Sequence, residues 1–322
     1  MLPCKYLFEN FDLAHEALAH WSHEEELLEQ FRISSNAVYP FRRKGRVCFL
    51  RLAPVEEKQE GNLRGELEFL AYLEAQGYPA VRPLPADSGE TLLRLETRWG
   101  AYYATAFLGV PGIRLDKLSP TPALLRSYGR ALGKLHALSS DYRPACPKWG
   151  YAQVLAWAEA ALARYGASQE LLAQAAPLRR ALDALPRTPD CYGLVHYDFE
   201  PDNVFFEEHT GLCTPIDFDD GMFHWYALDV EQVFDSLDDM GVTDPAPAQA
   251  AFLSGYREEF TYPQEWELLR PLMRRFVDFY GLARLTRAMA QQLENEPDWL
   301  IGLRARLSAV LAQKEAHLLG CP

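Results

Sequence analysis

The first third of the chain mixes two hydrophobic periods. Phe11, Ala14, Leu18 and Trp21 recur at helical spacing and predict a helix over 10–21. Apolar runs then predict strands over 27–32 and 38–42, joined by Ile33-Ser34-Ser35-Asn36-Ala37, and a third strand over 47–52 after the Lys44-Gly45 turn. Leu63, Leu67, Leu70 and Leu73 mark one face of a helix over 61–76 that Gly77 ends. An extended proline-rich stretch, 78–85, leads to two more strands over 91–96 and 101–107. The segment 108–112, with Gly109, Pro111 and Gly112, reads as a hinge.

Past the hinge the pattern turns helical. Thr121 and Pro122 open a helix through Ser139, with Leu124, Leu125, Tyr128, Leu132 and Leu135 on one face. Further helices are predicted over 152–165, 169–185, 227–240, 245–260, 263–289 and 297–319. This is an α+β pattern: a small antiparallel-sheet lobe over 1–108 and a larger, mostly helical lobe over 109–322. Inside the 121–139 helix, Gly129-Arg130-Ala131-Leu132-Gly133-Lys134 looks superficially like a phosphate loop. The spacing is one residue short, Leu135 stands where Ser or Thr is needed, and the context is mid-helix, so it is set aside.

The densest chemistry lies between two strand-like runs. His196-Tyr197-Asp198-Phe199-Glu200-Pro201-Asp202-Asn203 follows Leu194-Val195 and precedes Val204-Phe205-Phe206. A second run, Cys213 to Ile216, delivers Asp217-Phe218-Asp219-Asp220. A hairpin here brings Asp198, Asn203 and Asp217 to one edge. Magnesium takes hard oxygen ligands, and a hydroxyl that accepts a phosphoryl group needs a carboxylate beside it. Asp, Asn and Pro also make plain turns, but the flanking strands, the preceding His196 and the third carboxylate favour a catalytic loop.

The 322 residues suffice for two lobes, each with its own core. An apolar fraction of 48% with 24% charged residues is that of a globular protein. A net charge of −13 argues against nucleic acid and against anionic membrane surfaces, and is compatible with a cationic substrate. The six scattered cysteines contain no Cys-x-x-Cys pair, and no apolar run is long enough to span a bilayer. These features lead to the expectation of a reduced, cytoplasmic protein without structural zinc. The oligomeric state is left open.

The loop 196–203 followed by Ile216-Asp217-Phe218 resembles the aminoglycoside phosphotransferase and choline kinase-like family, and Leu228-Asp229-Val230 matches its later Asp-Leu or Asp-Ile pair. The family's loop usually reads His-Gly-Asp-x-His-x-x-Asn. Here Tyr197 replaces the glycine and Glu200 the second histidine, while the Asp and the Asn are kept. The resemblance implies a two-lobed protein-kinase-like fold and an ATP- and magnesium-dependent transfer to the hydroxyl of a small molecule. It implies that Asp198 takes the acceptor proton and that Asn203 and Asp217 hold magnesium. Arg51, on the third strand, would neutralise the nucleotide phosphates, and Glu66 would pair with Arg51. Ser34, Ser35 and Asn36 would offer N–H groups and hydroxyls to phosphate, and adenine would meet the backbone near Phe107 and Leu108. His196 is expected to brace the loop and Asp229 to bond its backbone. Asp219 and Asp220 support the metal, line the acceptor site or face solvent. Two other readings remain open at this point, a protein kinase of the bacterial stress-response type and a catalytically silent nucleotide-binding module.

Overall fold

The computed structural model describes residues 11–28, 32–33, 36–290 and 298–320. The chain opens with α1 (Asp12–Leu18), the short strands β1 (Glu25–Glu26) and β2 (Arg32–Ile33), and the hairpin of β3 (Ala37–Arg43) with β4 (Arg46–Pro54). Helix α2 (Glu60–Ala75) follows, then β5 (Arg82–Pro83), β6 (Leu93–Thr97) and β7 (Gly100–Leu108). Among the described residues these strands form one seven-stranded sheet with the path β1-β3-β4-β7-β5, β2 pairing with β3 and β6 with β7. All of its pairings are antiparallel.

Alternation along β4 and β7 gives the sheet two unlike faces. Leu50, Leu52, Tyr102, Ala104 and Ala106 join Tyr39 and Phe41 against Leu13, Ala14, Leu18 and Trp21, which seals one face with α1. The intervening residues Arg51, Thr105 and Phe107 belong to the other face, where Arg51 stands opposite Val38 on one side and Thr105 on the other. The leucine stripe of α2 packs into the main core with Phe107, Tyr142 and Phe218. Phe69 of α2 lies 4.8 Å from Tyr142 and 6.1 Å from Phe218, centroid to centroid. A β-carbon on Gly65 would come within 2.6 Å of the Cys146 carbonyl, so α2 and the segment after Asp141 pack backbone to backbone.

The larger lobe runs through β8 (Ile113–Arg114), α3 (Pro122–Asp141), α4 (Tyr151–Arg164), α5 (Gln169–Leu172) and α6 (Ala175–Asp183). Next come β9 (Tyr192–Val195), β10 (Val204–Glu207), β11 (Leu212–Pro215) and β12 (Met222–Trp225). The chain closes with α7 (Ala227–Asp235), α8 (Pro245–Tyr256), α9 (Trp266–Met289) and α10 (Asp298–Leu318). Thr121 caps α3 by accepting the Leu124 N–H, with Pro122 in the first turn as expected.

The glycines of 129–134 have a packing role. A β-carbon on Gly129 would lie 1.9 Å from the Phe252 carbonyl oxygen, and one on Gly255 would lie 1.8 Å from that of Arg126. These positions let α3 and α8 touch along their backbones.

Several predicted helices are shorter or divided, among them the one expected over 245–260, which ends at Tyr256. The helix expected over 169–185 breaks into α5 and α6. The one expected over 227–240 ends at Asp235, where the Ser236 hydroxyl donates back to the Val233 carbonyl and a 3-10 turn, Leu237–Met240, runs to Gly241 at φ +79°. Of the strand expected over 27–32, Leu27 and Leu28 are not in a strand and Arg32 is in β2, while β1 lies just before that range. Residues 29–31 of that reading, together with Ser34 and Ser35, lie outside the described residues.

Candidate active site

The hairpin of β10 and β11 sets the two halves of the site side by side. Val204 pairs with Pro215, and the Ile216 N–H donates to the Asn203 carbonyl at 2.9 Å. Asn203 and Asp217 therefore leave adjacent strand ends. Asn203 Nδ2 donates to Asp198 Oδ2 at 2.8 Å and to the Asp198 carbonyl at 3.2 Å, which leaves its Oδ1 as the available oxygen donor. The neutral ring of His196 spans the loop: Nδ1 accepts the Asp198 N–H at 3.2 Å and Nε2 donates to the Ile216 carbonyl at 3.0 Å. Burial holds His196 near pKa about 4, consistent with that neutral, bracing part.

The loop is clamped from beneath by Asp229. Its carboxylate accepts the N–H groups of His196 and Tyr197, both at 2.8 Å, and His136 Nε2–H at 3.0 Å. His136 Nδ1 in turn accepts the Tyr256 hydroxyl at 2.7 Å. The clamp holds Tyr197 at φ +68°, a left-handed conformation that suits the glycine usual at this position. The Tyr197 ring compensates by packing on Tyr280, 5.2 Å away. Asp217 also sits at positive φ, +64°.

Negative charge accumulates at the mouth of the loop. Burial, with the carboxylates of Glu200 and Asp217, raises the Asp198 pKa well above the usual range. Desolvation at the floor of the cleft and the neighbouring Asp219 push Asp217 up to about 6, against the pull of Arg51. Such uncompensated carboxylates suit a divalent cation. Among the described residues no three His, Cys, Asp or Glu side chains form a ready-made metal cage. Asp217 with Asn203 Oδ1 offers two hard oxygens, which is what magnesium asks of a protein when phosphate oxygens and waters supply the rest.

Above this floor is a cleft of about 250 Å³ between Val38, Phe49 and Phe107 on one side and Phe205 and Ile216 on the other, with Leu108 at its edge. Its mostly apolar lining suits an adenine ring, and Arg51 and Asp217 line it as well. Arg51 is buried and bidentate with Glu66, at 2.9 and 2.7 Å. It also donates to Thr105 Oγ1 at 3.3 Å, stacks over Phe107 and reaches within 4.0 Å of Asp217. Burial alone would favour the neutral guanidine, but the Glu66 carboxylate raises the Arg51 pKa. Glu68 instead caps a loop by accepting the N–H groups of Ala145 and Cys146, both at 2.7 Å.

Arg51→Ala is expected to raise the ATP KM at least about tenfold and to leave the acceptor KM nearly unchanged. It should also lower the melting temperature, because Glu66 is left buried and unpaired, a loss of about 3–5 kcal/mol. Arg51→Lys should fall between the two, retaining charge without the fork. Nucleotide titration beside a thermal melt reads both effects, and wild-type ATP affinity in both variants would remove Arg51 from the nucleotide site.

Asp219 and Asp220 are both engaged by cations. Asp219 pairs with half-buried Lys58 and accepts Asn36 Nδ2–H at 2.9 Å. Lys148, which is buried, donates to the Phe218 and Asp219 carbonyls at 2.8 and 2.7 Å. Burial opposes the Asp219 charge, yet Lys58 and Arg51 hold its pKa below the usual range. Asp220 pairs with Arg284 of α9 at 2.6 Å. The pair Lys58 and Lys148 is absent from the sequence reading, since neither lies on a periodic segment that marks it. Arg284 and Arg287 follow Tyr280 at helical spacing, a stripe that was there to be read.

Beside Asp198 a second cavity, of about 660 Å³, opens toward α9 and α10. Asp198, Glu200, Tyr197, Trp157, Gln232 and Arg284 line it, and Asp217 and Asn36 line both cavities. Burial and the carboxylates of Asp202, Asp239 and Asp235 push Glu200 up to about 7.

Comparisons with known proteins identify the family and the fold. The Phosphotransferase enzyme family (APH) matches residues 28–272. Amicoumacin kinase of Bacillus subtilis (strain 168) is 25% identical over 313 residues, 93% of this chain and 92% of that protein. Homoserine kinase of Caulobacter vibrioides (strain NA1000 / CB15N) is 32% identical over 230 residues, 68% of each chain. Among solved structures, "Amicoumacin kinase hAmiN in complex with AMP-PNP, Ca2+ and Ami" superposes with a TM-score of 0.80 at 20% identity, covering 98% of this chain and 96% of that one. The chain belongs to the phosphotransferase enzyme family and has its α+β, two-lobed, protein-kinase-like fold.

Proposed function

We propose that this protein transfers the γ-phosphate of ATP, with magnesium, to the hydroxyl of a small amino alcohol, amino acid alcohol or aminoglycoside-like compound. The observation that carries this reading is the shared floor of two cavities: Asp217 lines both, and Asp198 opens into the second. Family membership supports it, as do relatives named as kinases of small molecules and a structural neighbour that holds AMP-PNP with a divalent ion. The lobe of 1–108 would carry the nucleotide and that of 109–322 the acceptor.

In this reading Asp198 orients the acceptor hydroxyl and takes its proton as the oxygen bonds to the γ-phosphorus and the bond to the β-phosphate oxygen breaks. Asn203 and Asp217 would hold magnesium, which would neutralise charge on the β- and γ-phosphates. Arg51, aligned by Glu66, Thr105 and Phe107, faces the phosphates, and Phe107 and Leu108 border the adenine. Ser35 and Asn36 would bond the phosphates, with Asn36 released from Asp219. A protein acceptor is less well accommodated. Between Asp217 and Asp229 the chain is taken up by a short turn, β12 and the start of α7, with no long activation segment.

ADP release measured with alcohols, amino alcohols, aminoglycosides and a protein substrate tests the reading, and turnover with the protein alone would overturn it. The metal assignment has its own test. Asp217→Ala should abolish the magnesium dependence of ATP binding by calorimetry. In the wild-type protein, magnesium-dependent affinity should weaken as the pH falls through about 6, because a proton on Asp217 displaces the cation.

A further inference from the structure

Lys148 is a buried cation for which the chemistry above has no use. It is 6% exposed and lines neither the nucleotide cleft nor the acceptor cavity. Among the described residues its ammonium pairs with no carboxylate and donates only to the carbonyls of Phe218 and Asp219. Taking an ammonium out of water is costly, and the carboxylates of Glu66, Asp219 and Asp220 offset only part of that cost. A methionine would fill the same space, so packing alone does not call for a lysine.

The two carbonyls belong to a 3-10 turn, Phe218–Asp220, that starts from Asp217 in its left-handed conformation. A residue held there costs about 1–3 kcal/mol and stays only where its surroundings fix it. Before Asp217, the Ile216 N–H donates to Asn203 and the Ile216 carbonyl accepts from His196. After it, Lys148 takes the carbonyls of residues 218 and 219. The Asp219 carboxylate is held separately by Lys58, so Lys148 fixes the main chain. The base of Lys148 is fastened to α2. Trp149 N–H donates to Asn62 Oδ1 at 2.8 Å, and Glu68 accepts the N–H groups of Ala145 and Cys146. A β-carbon on Gly65 would lie 2.8 Å from Lys148 Cγ, and the next residue, Glu66, is the partner of Arg51.

Resting on the phosphotransferase reading above, we infer that Lys148 is a positioning residue that ties the turn carrying Asp217 to α2 and so keeps the metal ligand in register with Arg51. Without the ammonium, the Phe218 carbonyl keeps only the Gly221 N–H, at 3.2 Å, and Asp217 can leave its conformation. The Arg51–Glu66 pair and the apolar walls of the cleft do not depend on Lys148. The loss therefore falls on the metal and spares the nucleotide.

Lys148→Met keeps an unbranched stem against Gly65 and removes the ammonium. ATP titrated by calorimetry with magnesium and with EDTA separates metal from nucleotide. The gain in ATP affinity that magnesium gives the wild type should shrink at least about tenfold in the variant, while the affinity in EDTA and the acceptor KM stay within about twofold. In the ligand-free protein, amide hydrogen exchange over 217–221 should quicken at least about tenfold. Asn62→Ala, which removes the acceptor of the Trp149 N–H, should cut the same magnesium gain about two- to threefold. An unchanged magnesium gain in folded Lys148→Met overturns the inference, whatever the melt shows. An equal loss of ATP affinity with and without magnesium overturns it too. If Lys148→Met does not fold, Asn62→Ala decides, and an unchanged magnesium gain there overturns the inference. Wild-type ATP binding that magnesium does not strengthen removes the metal assignment and this inference with it. No ADP release with any alcohol would instead sink the phosphotransferase reading itself.

Discussion

Asp198→Asn is expected to lower kcat by about a hundredfold or more, the usual contribution of a positioned acid or base. The amide keeps the shape and one oxygen for the Asn203 Nδ2–H, but it cannot accept the acceptor proton. Magnesium and ATP affinity should change little, because those ligands are assigned to Asn203, Asp217 and Arg51. Folding should survive, since burial and the carboxylates of Glu200 and Asp217 already disfavour the charge on Asp198. A neutral side chain relieves that repulsion, so the melt should match or exceed that of the wild type. In the wild-type protein kcat should fall as the pH drops, because protonated Asp198 is no base. Steady-state turnover, nucleotide titration and a melt of one preparation separate the outcomes. Full activity in the variant would end the catalytic assignment. Lost ATP binding with a normal melt would move Asp198 to the metal.

Much of this site is local in the chain, and that is why it could be read there. Asp198, Asn203 and Asp217 are brought together by a single hairpin, so spacing and flanking strands were enough to place them on one edge. Arg51 and Glu66 are legible only through the family resemblance, which names a third-strand cation and its helical partner; strand alternation and helical period say where each sits, not what it does. Lys58 and Lys148 were not found. They sit in irregular segments whose position depends on how α2 packs against the stretch after α3, and no periodicity reports that packing. Asp219 and Asp220 stayed ambiguous for the same reason, since their partners, Lys58 and Arg284, come from distant parts of the chain. Tyr197 was noticed only as a departure from glycine. The structure supplies the physical meaning: a left-handed residue held by two backbone hydrogen bonds and by ring packing. The leucine stripe of α2 was read correctly as a buried face, but a stripe does not say which core it enters.

Asp229 offers the strongest test of how that strained loop is held. Its carboxylate is wholly buried and receives His136 Nε2–H and the N–H groups of His196 and Tyr197. Burial opposes its charge, yet the bond from His136 and the His196 N–H keep its pKa below the usual range. The stability this carries is present above about pH 4, the unfolded carboxylate value, and is lost as the pH falls through the lower folded value. Asp229→Ala strands three buried donors at about 1–3 kcal/mol each. A net loss of roughly 3–5 kcal/mol is expected, seen as a fall of several degrees or more in Tm. Asp229→Asn is the sharper probe. With its oxygen toward His136 and His196, its NH2 confronts the Tyr197 N–H, donor against donor, at the residue held at φ +68°. The loop should shift where Asp198 must meet the hydroxyl, by displacements that can cost about a hundredfold in rate. The expected pattern is a large fall in kcat with the ATP KM nearly unchanged and a smaller fall in Tm than for the alanine variant. Wild-type kcat in Asp229→Asn, with only the melt lowered, would make Asp229 a stabilising residue that does not position the catalytic loop.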